Sequence, residues 1–188
     1  MADLRLHWLR DEALHDRLDD LARLRIAVFR EFPYLYDGDP EYEERYLKTF
    51  AAGEGAVVVG AFDGSRMVGA ATASPLAQHH GAFAEPFEAA GLAVADWFYF
   101  AESVLLPEYR GRGIGTAFFE WREEAARGQG FDRACFCAVV REGYDALHGF
   151  WSHRGYAPLE GVIARFAWRE VGDVSESDHE MQFWWRAL

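Results

Sequence analysis

From Ser103 to Phe119 the chain reads SVLLPEYRGRGIGTAFF, a strand-like apolar run that passes through a glycine-rich turn into an amphipathic helix pattern. Such a turn leaves main-chain N–H groups unpaired at the helix start, where the helix dipole adds positive potential. Gly111, Gly113 and Gly115 let the backbone approach a bulky group with no Cβ in the way, and Arg110 and Arg112 add full charges. The chemistry is that of an anion site, and its extent suits the diphosphate of a nucleotide-type cofactor.

Two nucleotide patterns fit poorly. A phosphate-binding loop needs Lys-Ser/Thr after its last glycine, whereas Gly115 is followed by Thr116-Ala117. A dinucleotide fingerprint begun at Gly111 meets Thr116 where its third glycine belongs, and Asp132 opens the next strand instead of ending it. The spacing that does fit is Arg-x-x-Gly-x-Gly, at Arg110, Gly113 and Gly115. With LeuLeuProGluTyr ahead of it and a later aromatic helical run closing on Gly155-Tyr156, the chain resembles the GNAT superfamily of acyl-CoA-dependent N-acyltransferases.

The resemblance implies an α/β fold with a mixed central sheet of about seven strands and helices on both faces, splayed between the fourth and fifth strands. It implies that Arg110, Gly111, Arg112, Gly113, Ile114, Gly115 and Thr116 bind the CoA diphosphate, with acetyl-CoA as acyl donor. It also implies that Leu105 and Leu106 pair through their backbones with the pantetheine arm, an N–H near Leu105 facing the thioester oxyanion. Many members carry a tyrosine four residues before the late glycine. Here that position is Trp151, whose indole is no useful acid, so protonation of the departing thiolate falls to Tyr144 or water, or is dispensed with.

An attacking amine must shed a proton. Glu102 lies on the strand that leads to the turn, among apolar residues, where a partly desolvated carboxylate suits a general base; the alternative is a structural carboxylate paired with an arginine. The resemblance frames the acceptor pocket with the first two helices and the connection between the third and fourth strands. There the loop FPYLYDGDP offers Tyr34, Tyr36, Asp37 and Asp39 to a cationic or amphipathic amine, unless its tyrosines simply pack on the core. Two functions are compatible with this pattern: direct acetyl transfer to a primary amine of a small molecule or peptide, or a catalytically silent CoA-binding module.

The elements that must position these residues are legible from periodicity. Leu4 to Leu9 reads as an edge strand, Asp11 to Val28 as a helix, and Pro40 to Gly53 as a second helix. Ala56 to Phe62 and Met67 to Ser74 form a hairpin about the Asp-Gly-Ser turn, followed by an insertion, Pro75 to Ala95, long enough for a short helix. Trp97 to Leu106 is a strand, Gly113 to Arg127 a helix, Phe131 to Val140 a strand and Tyr144 to Arg154 a helix. Val162 to Trp168 and Met181 to Arg186 complete the sheet across an acidic turn.

Composition bounds the partners. The 188 residues predict one domain, and 19 Lys and Arg against 31 Asp and Glu give a net charge of −12 that argues against nucleic acid. The N-terminus is charged too early for a secretory signal, and no apolar run reaches the roughly 20 residues of a membrane helix, so a cytoplasmic protein is expected. Cys135 and Cys137 read as small core residues on one strand face, and His79-His80 lacks a third ligand at metal spacing. His148 and His153 read as surface residues. The aromatic tail Gln182 to Arg186 packs the core or a second copy of the chain, and a homodimer fits the resemblance.

Overall fold

The computed structural model describes residues 4–188. Seven strands form one sheet in the order β1-β2-β3-β4-β5-β7-β6: β1 (Leu4–Leu9), β2 (Val57–Asp63), β3 (Arg66–Pro75), β4 (Phe98–Leu105), β5 (Arg133–Val139), β6 (Ala157–Trp168) and β7 (Ser177–Ala187). Every pairing is antiparallel except β4 with β5, which run parallel and touch only at Phe98↔Ala134 and Tyr99↔Cys135. Beyond that point the two strands part, and the sheet opens in a V.

Helices cover both faces. α1 (Asp11–His15), α2 (Leu18–Phe29) and α3 (Pro40–Ala51) bury Leu14, Leu18, Leu21, Leu24, Leu47 and Phe50 against Val58, Met67 and Val104. The insertion carries α4 (Glu85–Ala89), whose Phe87 is fully buried beside Trp97 and Phe183. On the other face α5 (Ile114–Gly128) and α6 (His148–His153) pack Phe118, Phe119 and Trp151 against Val68, Phe100 and Phe136.

Several boundaries differ from the sequence expectations. The first helix is broken after His15, because Arg17 leaves the helical region and α2 restarts with Asp19 and Asp20 in its first turn, where acidic residues complement the dipole. The helix expected from Tyr144 spans only His148–His153, since Gly143 at φ 76° and the Tyr144 N–H bond to the Arg141 carbonyl make a turn ahead of it. β6 begins earlier than expected because Pro158 and Gly161 flank a bulge that breaks the alternation. β7 reaches back to Ser177, pairing Asp178 with Ala167 of β6, so the acidic turn is confined to residues 169–176. Within the tail, Phe183 and Trp184 are core, and His148 stacks on Trp151 and Trp184, so it is not a bare surface residue.

One irregularity matters for function. Thr72 pairs with Glu102 but Ala73 pairs with Phe100, so Ala101 is an extra residue in β4. Phe100 faces α5, while Ala101 and Glu102 both face the α2–α3 side, which strict alternation forbids. The buried Arg122 of α5 clamps this bulge by donating to the carbonyls of Thr72 (3.3 Å) and Glu102 (3.1 Å) and to Ser103 Oγ (2.7 Å), under the ring of Phe100. Burial holds its guanidinium down to about 10, still charged at neutral pH. Arg122→Met is expected to cost about 3 kcal/mol in urea denaturation, because it strands buried acceptors.

Candidate active site

The glycine turn lies where β4 ends. After a single helical turn at Pro107–Tyr109, Gly111 (φ 73°) and Gly113 (φ 81°) take the left-handed conformation, and α5 starts at Ile114. The amides of Gly111 through Thr116 meet no acceptor among the described residues; the Arg110 amide, expected to join them, donates instead to the Pro107 carbonyl at 3.1 Å. A Cβ added at Gly111 or Gly113 would enter open space, and one at Gly115 would meet only the Phe150 ring at 3.9 Å. Gly115 has no positive φ to justify it, so its missing side chain serves the space in front of the turn. An anionic diphosphate fits this cradle of free amides at a 15-residue helix start.

The two arginines are held at its edge. Arg110 pairs with Glu31 at 3.0 Å and reaches the Leu105 carbonyl at 3.3 Å, while Arg112 donates to the Glu108 carbonyl at 2.8 Å and lies over the Tyr109 ring. Of the two leucines, Leu106 is already engaged: its N–H donates to Val68 and its carbonyl accepts from Tyr109, each at 3.0 Å. That corrects the expectation for Leu106. The alternation of an antiparallel ladder turns the Leu105 amide to the other edge of β4, into the V.

On the far side of the sheet, the opening leads into a pocket of about 690 Å³ that brings together Tyr34, Tyr36, Asp37 and Glu102. Glu102, 7% exposed, sits 2.6 Å from Arg25 of α2, and the same guanidinium bonds the fully buried Glu43. Each carboxylate keeps a buried Oε1 without a partner. Burial alone would depress the Arg25 guanidinium, but Glu102, Tyr46 and Glu43 outweigh it and lift its pKa above the ordinary value. The rings of Phe29 and Tyr46 flank it at 5.3 and 4.5 Å. Sequence reasoning missed Arg25; an arginine on the buried side of an otherwise apolar helix stripe was the available signal.

Both acids of the loop have other work. Asp37 is neutralised between Arg169 (2.7 Å) and Arg30 (3.3 Å), and Asp39 caps α3 through the Glu41 amide at 2.9 Å, so Asp37 is corrected from a cation-binding carboxylate to a structural one. Burial, with Glu43 alongside, pushes the Tyr36 phenol up, and burial does the same for Tyr34, which packs on Phe29 and Trp168. Tyr144 does not line this pocket. It stands across the opening, 6.0 Å from the Phe32 ring and near Arg110, where burial raises its phenol and keeps the proton on. Trp151 is core, packed on Phe136 and Trp184.

Cys135 and Cys137 are free thiols on one face, and Cys137 meets the Tyr99 hydroxyl at 3.2 Å. Burial raises Cys137 to about 12, which leaves it a poor nucleophile. His79 Nε2 pairs with Ser74 Oγ at 2.8 Å between the Phe83 and Tyr99 rings, and burial lowers its pKa from 6.5 to about 4. Its folded value lies below its unfolded one, so on acidification the unfolded chain takes the proton first. The contribution is complete above about pH 6.5 and is lost as pH falls toward 4, a swing on the order of 2 kcal/mol. His79→Gln should flatten the urea midpoint against pH across that window.

The sequence matches the Acetyltransferase (GNAT) family over residues 19–156. The chain therefore belongs to the GNAT acetyltransferase family, whose members use acetyl-CoA. No curated protein matches it in sequence. Among solved structures it is similar to the ribosomal-protein-alanine N-acetyltransferase of Brucella melitensis, at 16% identity and a TM-score of 0.66 over 97% of this chain and 99% of that one. An acetyltransferase from Thermus thermophilus gives 17% and 0.62 over 100% of both chains. The PaiA N-acetyltransferase of Thermoplasma acidophilum, solved in complex with coenzyme A, gives 14% and 0.56 over 99% of both. At these identities the likeness is one of fold. Among the described residues no helix is long and apolar enough to cross a membrane.

Proposed function

We propose that this protein transfers an acetyl group from acetyl-CoA directly to a primary amine. The observation that carries the reading is the parting of β4 and β5 beyond Tyr99 and Cys135, with free amides on one side of the gap and Glu102 on the other. Bound acetyl-CoA supplies the activated thioester. In this reading the amides of Gly111 to Thr116 hold its diphosphate, and the Leu105 amide faces the carbonyl oxygen as it gains charge. The Glu102 carboxylate takes the ammonium proton, directly or through water, leaving a lone pair to attack the carbonyl carbon. As the carbon–sulfur bond breaks, the nitrogen of the tetrahedral intermediate sheds its second proton to water, and the Tyr144 hydroxyl, reprotonated from solvent, or water itself returns a proton to sulfur.

The test is release of CoA thiol from acetyl-CoA against a broad panel of amines. Amine-dependent release that Glu102→Gln suppresses supports the reading. Binding of acetyl-CoA with no turnover on any amine would overturn it in favour of a silent CoA-binding module.

A further inference from the structure

The pocket before Glu102 has a lining that selects among amines, a selectivity that rests on the acyltransfer reading just given. Nine of its 22 lining residues are aromatic, against 16% of the chain. Six of them form one continuous wall through β6, where Phe166 and Trp168 share a face: Phe29, Tyr34 and Trp168 in contact at one end, and Phe83, Phe166 and Tyr99 at the other, with the Phe83 and Phe166 ring centroids 4.5 Å apart.

The charge is placed unevenly. Deep in the pocket stands Glu102, its side chain 3% exposed, with Oε1 lacking a partner. Toward the rim Asp37 is spent on two arginines and Asp39 on a helix cap, while Arg45 makes no ion pair among the described residues. One ammonium is wanted at the bottom; a second along the length of the ligand meets only the exposed carboxylates Asp39 and Glu176, in a lining that also holds Arg45 and Arg169.

The pocket is also walled on one side. The loop after α2 is stitched to the end of β6: Asp37 N–H donates to the Arg169 carbonyl (2.9 Å), Val171 N–H to that of Leu35 (2.7 Å), and Trp168 Nε1 to that of Tyr34 (3.0 Å). An extended chain cannot pass between these segments, so a ligand enters end-on.

We infer that the acceptor is a small primary amine carrying an aromatic body, an arylalkylamine, in preference to a polyamine or a polypeptide. Its ammonium pairs with the Glu102 carboxylate, and its ring lies against the aromatic wall, where stacking and cation–π attraction act together.

The experiment compares kcat/KM for 2-phenylethylamine, spermidine and a tetrapeptide with a free N-terminus, all with acetyl-CoA. The aromatic amine is expected to lead both others by at least about tenfold, and Phe166→Ala to raise its KM more than it lowers kcat. Equal or better turnover of spermidine or the peptide overturns the inference while leaving acyltransfer intact. Absence of transfer to all three and to a wider amine panel overturns acyltransfer itself, and this inference with it.

Discussion

Gly115→Val is expected to weaken CoA binding by about 100-fold or more while leaving the stability of the fold nearly unchanged. The side chain would project into the space before the free amides, where a diphosphate must approach within hydrogen-bond distance. Losing two charge-assisted hydrogen bonds at about 1.5 kcal/mol each accounts for that factor. The fold has little to lose. Gly115 sits in the first turn of α5 without a positive φ, and its nearest neighbour across the gap is Phe150 at 3.9 Å. Valine there gains a few tenths of a kcal/mol in helix propensity over glycine, roughly enough to offset minor crowding. Calorimetric titration with CoA and a urea melt separate the two effects. At Gly113, whose φ is 81°, the same substitution would confound them through backbone strain.

The second large effect is at Glu102. Glu102→Gln is expected to lower kcat/KM for the best amine by about 10²- to 10³-fold, the range for loss of a general base. CoA binding should be unaltered, because the residue lies on the opposite side of the opening from the glycine turn. The amide oxygen can still accept from Arg25, and Glu43 still holds that guanidinium, so the stability loss should stay near about 1 kcal/mol. Arg25→Ala is the contrasting case. It leaves two buried carboxylates with no cation and should cost about 3–5 kcal/mol, enough to show as unfolding before it shows as slowed catalysis.

The glycine turn could be read from sequence because its chemistry is local: consecutive residues decide whether amides are free, and glycine spacing reports it directly. The sheet and its helices were legible for a related reason, since apolar periodicity marks which face each element buries. What escaped depended on partners distant in the chain. Glu102 was visible as an acid in an apolar strand, but the side it faces is set by the extra residue Ala101 and the clamp from Arg122, 20 positions on. Arg25 lies 77 positions before Glu102, and its companion Glu43 another 18 beyond Arg25, so no local pattern joins them. Asp37 shows the converse: its composition suggested a ligand for a cation, yet two arginines, one from the far end of the sheet, claim it.

Leu106 and the start of the helix expected at Tyr144 were misplaced for backbone reasons. Hydrogen-bond direction along β4 alternates by residue, so adjacent leucines cannot both present amides to the same edge. Gly143 turned the segment around Tyr144 out of a helix that side-chain periodicity alone supported.

Whether the turn at residues 111–116 grips a diphosphate is tested most directly by calorimetry of CoA against pantetheine, which lacks that group. Saturable binding of CoA with pantetheine weaker by at least about 100-fold is the predicted result. Equal affinity for the two, or no binding of CoA at all, would contradict it.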